Sequence, residues 1–160
     1  MNWVAAFAVC LGAAAAEGIL AGKNPRQFLR ELRQPRWSAP FIIWVLIGLY
    51  YYAAAFFALA VLFGGALRLA PVQLAVVLLI FILATNAGGN WLLFRRRDFR
   101  AFHYLMYPYA AAVISLIALL ARFDAISALL WAVYGAYLLY AIAWTRAVWR
   151  MNRVPINDVG

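Results

Sequence analysis

Charge is scarce in this chain. Asp, Glu, Lys and Arg make up 12% of its 160 residues, about half the usual share. A water-soluble domain of this size must cover much of its surface with polar groups, and these are too few. The scarcity excludes a soluble globular enzyme and a charge-rich disordered segment. Five residues are acidic and one is histidine, so spacing supports no Ser-His-Asp set, no Cys-His pair and no metal cluster. The single cysteine, Cys10, excludes a disulfide scaffold. It reads as a small buried apolar residue.

Hydrophobic residues fill the space, at 69% against roughly 45–50% in ordinary globular chains. About 20 consecutive apolar residues carry a helix across a bilayer. Five runs meet that length, at about 2–22, 41–67, 71–94, 101–121 and 125–149. They are continuous rather than alternating and too long for barrel strands. Alanine and leucine dominate them, which suits helices. The expected fold is an all-α integral membrane protein, a bundle of five transmembrane helices in one domain over 1–153, with a tail at 154–160. The first run opens with Met1-Asn2-Trp3 and no basic residue, so a membrane helix is expected there rather than a signal peptide. Short links around 67–70 and 122–124 predict that the joined helices lie side by side and antiparallel.

The net charge is +9. Five spans place Lys23, Arg26, Arg30, Arg33, Arg36, Arg95, Arg96, Arg97, Arg100, Arg146, Arg150 and Arg153 on one side, and only Arg68 and Arg122 on the other. The positive-inside rule makes the basic side cytoplasmic, with the N-terminus outside and the C-terminus inside. A bacterial inner membrane suits that bias. No basic motif accompanies a soluble fold, so no nucleic-acid partner is expected. The partner expected from composition is the lipid bilayer.

The connection at 23–40 is long and mixes prolines, arginines and apolar residues. Asn24-Pro25 starts a short amphipathic helix. Phe28, Leu29 and Leu32 fall on one face of it and the arginines on the other. It reads either as an interfacial helix on the head groups or as a lid over one mouth of the bundle. Glu17 lies in the first span, roughly 8 Å deep at 1.5 Å per residue. It reads as lining a polar pocket, or as reaching the interface to pair with Lys23 or an arginine of the connection. Asn86, mid-span, must find a partner on another helix or on a ligand. His103 reads as an interfacial polar residue ahead of a tetrapyrrole ligand. Trp3, Trp37, Trp44, Trp91 and Trp149 fall near span ends, where an aromatic belt is expected. Tyr134, Tyr137 and Tyr140 share one helix face, on which a flat aromatic ligand could stack. Ala84 and Gly88 follow a small-x-x-x-small pattern, which serves packing within the monomer or a dimer seam.

Within the first connection, Pro25-Arg26-Gln27-Phe28-Leu29 precedes Leu32-Arg33-Gln34-Pro35-Arg36-Trp37-Ser38-Ala39-Pro40. Gly48 and Tyr51-Tyr52 follow in the second span and Asn86-Ala87-Gly88-Gly89 in the third. The fifth holds Val133-Tyr134-Gly135-Ala136-Tyr137, with Asn152 after it. In order and spacing this pattern resembles the TspO/MBR family, the translocator or tryptophan-rich sensory proteins, over nearly the whole chain. Gly48, Gly89 and Tyr137 stand where that family carries tryptophan, and Phe28-Leu29 lacks its tyrosine hydroxyl. The motif supplies no acid at Glu17. The resemblance implies five membrane helices and a membrane-embedded receptor for porphyrins, haem-like tetrapyrroles or sterols, acting in transport or stress sensing with no required cofactor. The implied ligand-binding residues are Phe28, Trp37, Pro40, Gly48, Tyr52, Asn86, Gly89, Tyr134, Tyr137 and Ala141. Glu17 joins them on the residue argument alone. The implied homodimer seam is Ala84 and Gly88. Two other functions stay open: a porphyrin-modifying enzyme, which the scarcity of acid-base groups disfavours, and a structural subunit of a larger membrane complex.

Overall fold

Apolar runs surrounded by lipid must satisfy their backbone internally, and this chain does so with helices. The computed structural model describes residues 2–65 and 69–152. The expected end of the second span, Arg68, Arg153, Asp158 and the tail at 154–160 lie outside the described residues. Six α-helices follow in order: α1 (Trp3–Ala21), α2 (Pro25–Glu31), α3 (Phe41–Gly64), α4 (Ala70–Asn90), α5 (Phe99–Leu120) and α6 (Ala125–Met151). All but α2 are long and apolar enough to cross a membrane. No strand occurs among the described residues. The protein is an all-α, multi-pass membrane bundle of five spans.

Local chemistry sets the helix ends. Gly22 closes α1 at φ 85°, a left-handed conformation that glycine adopts without strain, and its N–H bonds the Gly18 carbonyl at 3.2 Å. Pro25 opens α2 and Pro40 precedes α3, where a missing N–H does no harm. The Asp98 carboxylate accepts from the Ala101 amide at 2.9 Å and caps α5. Asp124 caps α6 in the same way, accepting from the Ser127 amide at 2.8 Å. Two of the few acids in the chain are therefore capping residues. Beyond α4 the helix widens into a π-helical stretch, Trp91–Arg96, and stops at Arg97, whose φ is 53°.

The spans close into a ring in the order α1, α3, α6, α5, α4 and back to α1. The short link before α6 joins close neighbours, as expected. The link before α4 does not: α3 and α4 touch, but each packs more extensively on α1. Alanines make up much of the inner face of α3. Ala54, Ala55, Ala58 and Leu59 are fully or almost fully buried on its inner face. On α1 only Ala6 and Cys10 are buried, while Val4 is 81% and Ile19 69% exposed. The outward surface is that of a protein bathed in lipid tails.

Contacts at one end bring the basic segments together. Arg33 and Asn152 exchange two hydrogen bonds, of 3.2 and 2.9 Å. The Phe28 and Phe94 rings meet edge to face at 5.3 Å, and Arg95 donates to the Ile19 carbonyl at 2.6 Å. The first connection, the turn after α4 and the end of α6 thus share one face of the bundle.

Candidate functional site

The first connection folds back over this end as a cover. Tyr140 on α6 accepts from the Ala39 amide at 2.7 Å. The Trp144 indole donates to the Ser38 hydroxyl at 3.0 Å, and Ser38 donates to Gln34 at 2.5 Å. Gln34 in turn bonds the Leu29 carbonyl. With the Asn152 clamp on Arg33, these bonds tie the second half of the connection, from Arg33 to Ala39, to α6 and the residue that follows it. Phe28 is buried beneath it with Leu93, Trp144 and Val148. The Arg97 guanidinium lies over the Phe28 ring at 5.2 Å.

Under this cover lies a cavity of about 340 Å³, within the usual range for small-molecule sites. Pro25 and Leu29 of the cover form its roof side. Its aromatic walls include Trp44 and Tyr51 from α3, Tyr109 from α5, and Tyr134, Tyr137 and Trp144 from α6. Leu93 and Phe94 join from the π-helical stretch. At its base the Tyr109 and Tyr134 hydroxyls share a 2.8 Å hydrogen bond, which satisfies two buried phenols at once.

Glu17 enters this wall from α1, half-buried. Tyr52 donates to its Oε2 at 2.5 Å and Asn86 to the same atom at 2.9 Å. Asn90 donates to Oε1 at 2.6 Å. Asn86 and Asn90 lie one turn apart on α4, so both amides face the same carboxylate. Glu17 therefore turns into the bundle, and the alternative of an interfacial pair with Lys23 is not what the chain adopts.

The cavity wall brings together Glu17, Gly48, Asn86, Gly89, Tyr134, Tyr137 and Ala141. Tyr52 stands behind Glu17 and holds it. Three expected residues lie elsewhere. Phe28 and Pro40 line two neighbouring recesses. Trp37 is 51% exposed and packs edge-on against Tyr140. Trp44 is a correction in the other direction. It sits on the wall with its indole N–H bonded to the Ala39 carbonyl at 3.1 Å, not in a lipid-facing belt. Sequence reasoning also passed over Asn90, although its i+4 spacing from Asn86 was a usable signal. Tyr109, Phe102 and Trp144 carry no comparable signal, because only the tertiary packing of α5 on α6 turns them inward.

The two glycines of the resemblance differ in kind. A Cβ on Gly48 would meet nothing within 4 Å, so that side of the cavity is open. A Cβ on Gly89 would lie 3.2 Å from the Phe102 ring, which already fills the space. Ala84 is exposed and a Cβ on Gly88 would meet nothing, so this small-residue stripe faces away from the bundle. His103 corrects an expectation. It is buried rather than interfacial, with Nδ1 2.9 Å from the Thr145 hydroxyl and Nε2 3.3 Å from Tyr107. Thr145 also donates to the Ile142 carbonyl at 3.0 Å. Both ring nitrogens are engaged, and His103 is not on the cavity wall.

The fold and site define a membrane helix bundle with a covered, aromatic-walled internal cavity. In comparisons with known proteins, no family model and no curated sequence matches the chain.

Proposed function

We propose that this protein is a membrane-embedded binder of flat hydrophobic ligands, with tetrapyrroles and sterols as the first classes to test, and that it serves transport or stress sensing. The observation that carries the reading is the aromatic cavity under the first connection. A second recess, of about 550 Å³, shares the walls Leu29, Phe41 and Trp44 with it and adds Arg26 and Arg30. A ligand larger than the main cavity extends into that recess, where guanidinium groups pair with carboxylates such as porphyrin propionates. The TspO/MBR resemblance supplies the ligand class. The arginine-rich end faces the cytoplasm in this reading, and the membrane is a bacterial inner membrane.

Trp44 and Trp144 stand on the cavity wall, so a seated porphyrin quenches tryptophan emission. Titration of the purified protein with protoporphyrin IX is expected to give saturable quenching. Replacing both residues with phenylalanine is expected to remove most of the saturable part. Quenching that rises linearly without saturation under every condition sinks the proposal.

The outward stripe of Ala84 and Gly88 supports a homodimer through α4, since small residues let two helices approach closely. Gly88→Leu is expected to shift the protein from dimer to monomer, read as the protein mass in detergent by light scattering. An unchanged mass overturns the seam.

A further inference from the structure

We propose that the cavity selects hydrophobic ligands carrying a positively charged nitrogen, with Glu17 as the anchor. The inference rests on the cavity being a ligand site and adds the chemistry of the ligand's polar end. Among the described residues that line the cavity, Glu17 is the only Asp, Glu, Lys or Arg. An ionisable group in a membrane span is expensive and is usually matched by an opposite charge or by a polar pathway. Here its partners among the described residues are the neutral donors Tyr52, Asn86 and Asn90, with no lysine or arginine paired to it. The nearby basic groups are turned elsewhere. Arg95 donates to the Ile19 carbonyl, and Lys23 and Arg95 line the neighbouring recess rather than this cavity.

Neutral donors orient a carboxylate without cancelling its charge. They also leave it acceptor capacity: a carboxylate has about four lone-pair sites, Oε2 accepts two bonds and Oε1 only one. Oε1 therefore retains acceptor capacity for a further N–H donor. The rest of the wall suits the same guest. Ring faces carry negative charge density and attract a cation, and Trp44, Tyr51, Phe94, Tyr134 and Tyr137 all border the cavity. One anionic acceptor inside an aromatic enclosure recognises a lipophilic ammonium. A neutral guest gains less there, and an acidic group is repelled from Glu17 and belongs at the arginine-lined recess instead.

The test uses the full chain in nanodiscs of neutral phosphatidylcholine, which removes cation binding to anionic lipid. The probes are 9-aminoacridine, cationic at neutral pH, and acridine, its neutral counterpart. Wild-type protein is expected to bind the cation at least about tenfold more tightly. Glu17→Gln is expected to lose that preference and bind the two probes alike, and circular dichroism shows that the variant keeps its helices. Equal affinity of the two probes for wild type overturns the inference, as does a preference that survives Glu17→Gln. Gly48→Trp, which fills the cavity, separates the two levels. If it abolishes binding of both probes while wild type shows no preference, the cavity is a ligand site and only the charge inference has failed. If it leaves both affinities unchanged, the cavity reading has failed and the inference falls with it.

Discussion

Gly48→Trp is expected to abolish saturable porphyrin binding while leaving the bundle folded. The weakening should be about 30-fold or more, roughly 2 kcal/mol of lost binding energy. The reason is steric and local. Gly48 lies on the cavity wall, and the first atom of any side chain there meets nothing within 4 Å. An indole grown from that point enters the space that a ligand would use. It finds Trp44, Tyr51 and Tyr137 as neighbours, so it is accommodated rather than expelled. Protoporphyrin titration followed by fluorescence measures the loss, and circular dichroism measures the retained helix. An unchanged affinity would mean that ligands bind elsewhere and that the cavity reading has failed. Gly89→Trp provides the contrast. Its Cβ already crowds the Phe102 ring at 3.2 Å, so the same substitution strains the contact between α4 and α5 instead of plugging a void.

The two glycines also show how far a sequence can be read. The bundle was legible because lipid imposes a single rule on the backbone, and length with apolarity is enough to apply it. The asymmetric arginines told the same story, since they can gather on one face only if the number of spans is odd. Gly48 and Gly89 looked equivalent as missing tryptophans. Their difference lies in what α5 places opposite them, and no periodicity encodes that. Glu17 was legible as an anomaly but not as a geometry. Its three donors come from α3 and α4, 35, 69 and 73 residues away along the chain. His103 and Trp44 misled for a related reason. Both lie near span ends, where polar and aromatic residues ordinarily meet the head groups. Here the cover folds over Trp44 and makes its surroundings an interior, while His103 is enclosed by α6, with Trp149 stacked on its ring and Thr145 on Nδ1. The cover was legible as a helix started by Asn24-Pro25. Its attachment to α6 through Tyr140, Trp144 and Asn152 was not, because nothing in the spacing of these side chains says that they bond the backbone and Ser38 of the cover.

Trp131 carries the largest expected effect on stability. It is fully buried on α6 and packs edge-on against Tyr51 at 5.9 Å and Tyr134 at 5.6 Å. In water, truncating such a residue loses both transfer energy and packing. In a bilayer the unfolded reference is already apolar, so the packing term dominates. Trp131→Ala is still expected to destabilise the bundle by about 2–4 kcal/mol, within the lower part of the range for large-to-small core substitutions. The indole N–H provides an internal control, because it is buried with no hydrogen-bond partner among the described residues. Trp131→Phe keeps a ring between Tyr51 and Tyr134 and deletes a donor whose burial is unfavourable. It should therefore lose less than about 1.5 kcal/mol. Unfolding in mixed micelles, followed by circular dichroism, measures both variants. If phenylalanine costs as much as alanine, the N–H has a partner and ring packing is not what holds this seam. The effect also reaches the site. Tyr134 lies between Trp131 and the cavity, so the alanine variant releases one side of the wall, and its ligand affinity should fall even where the bundle remains folded.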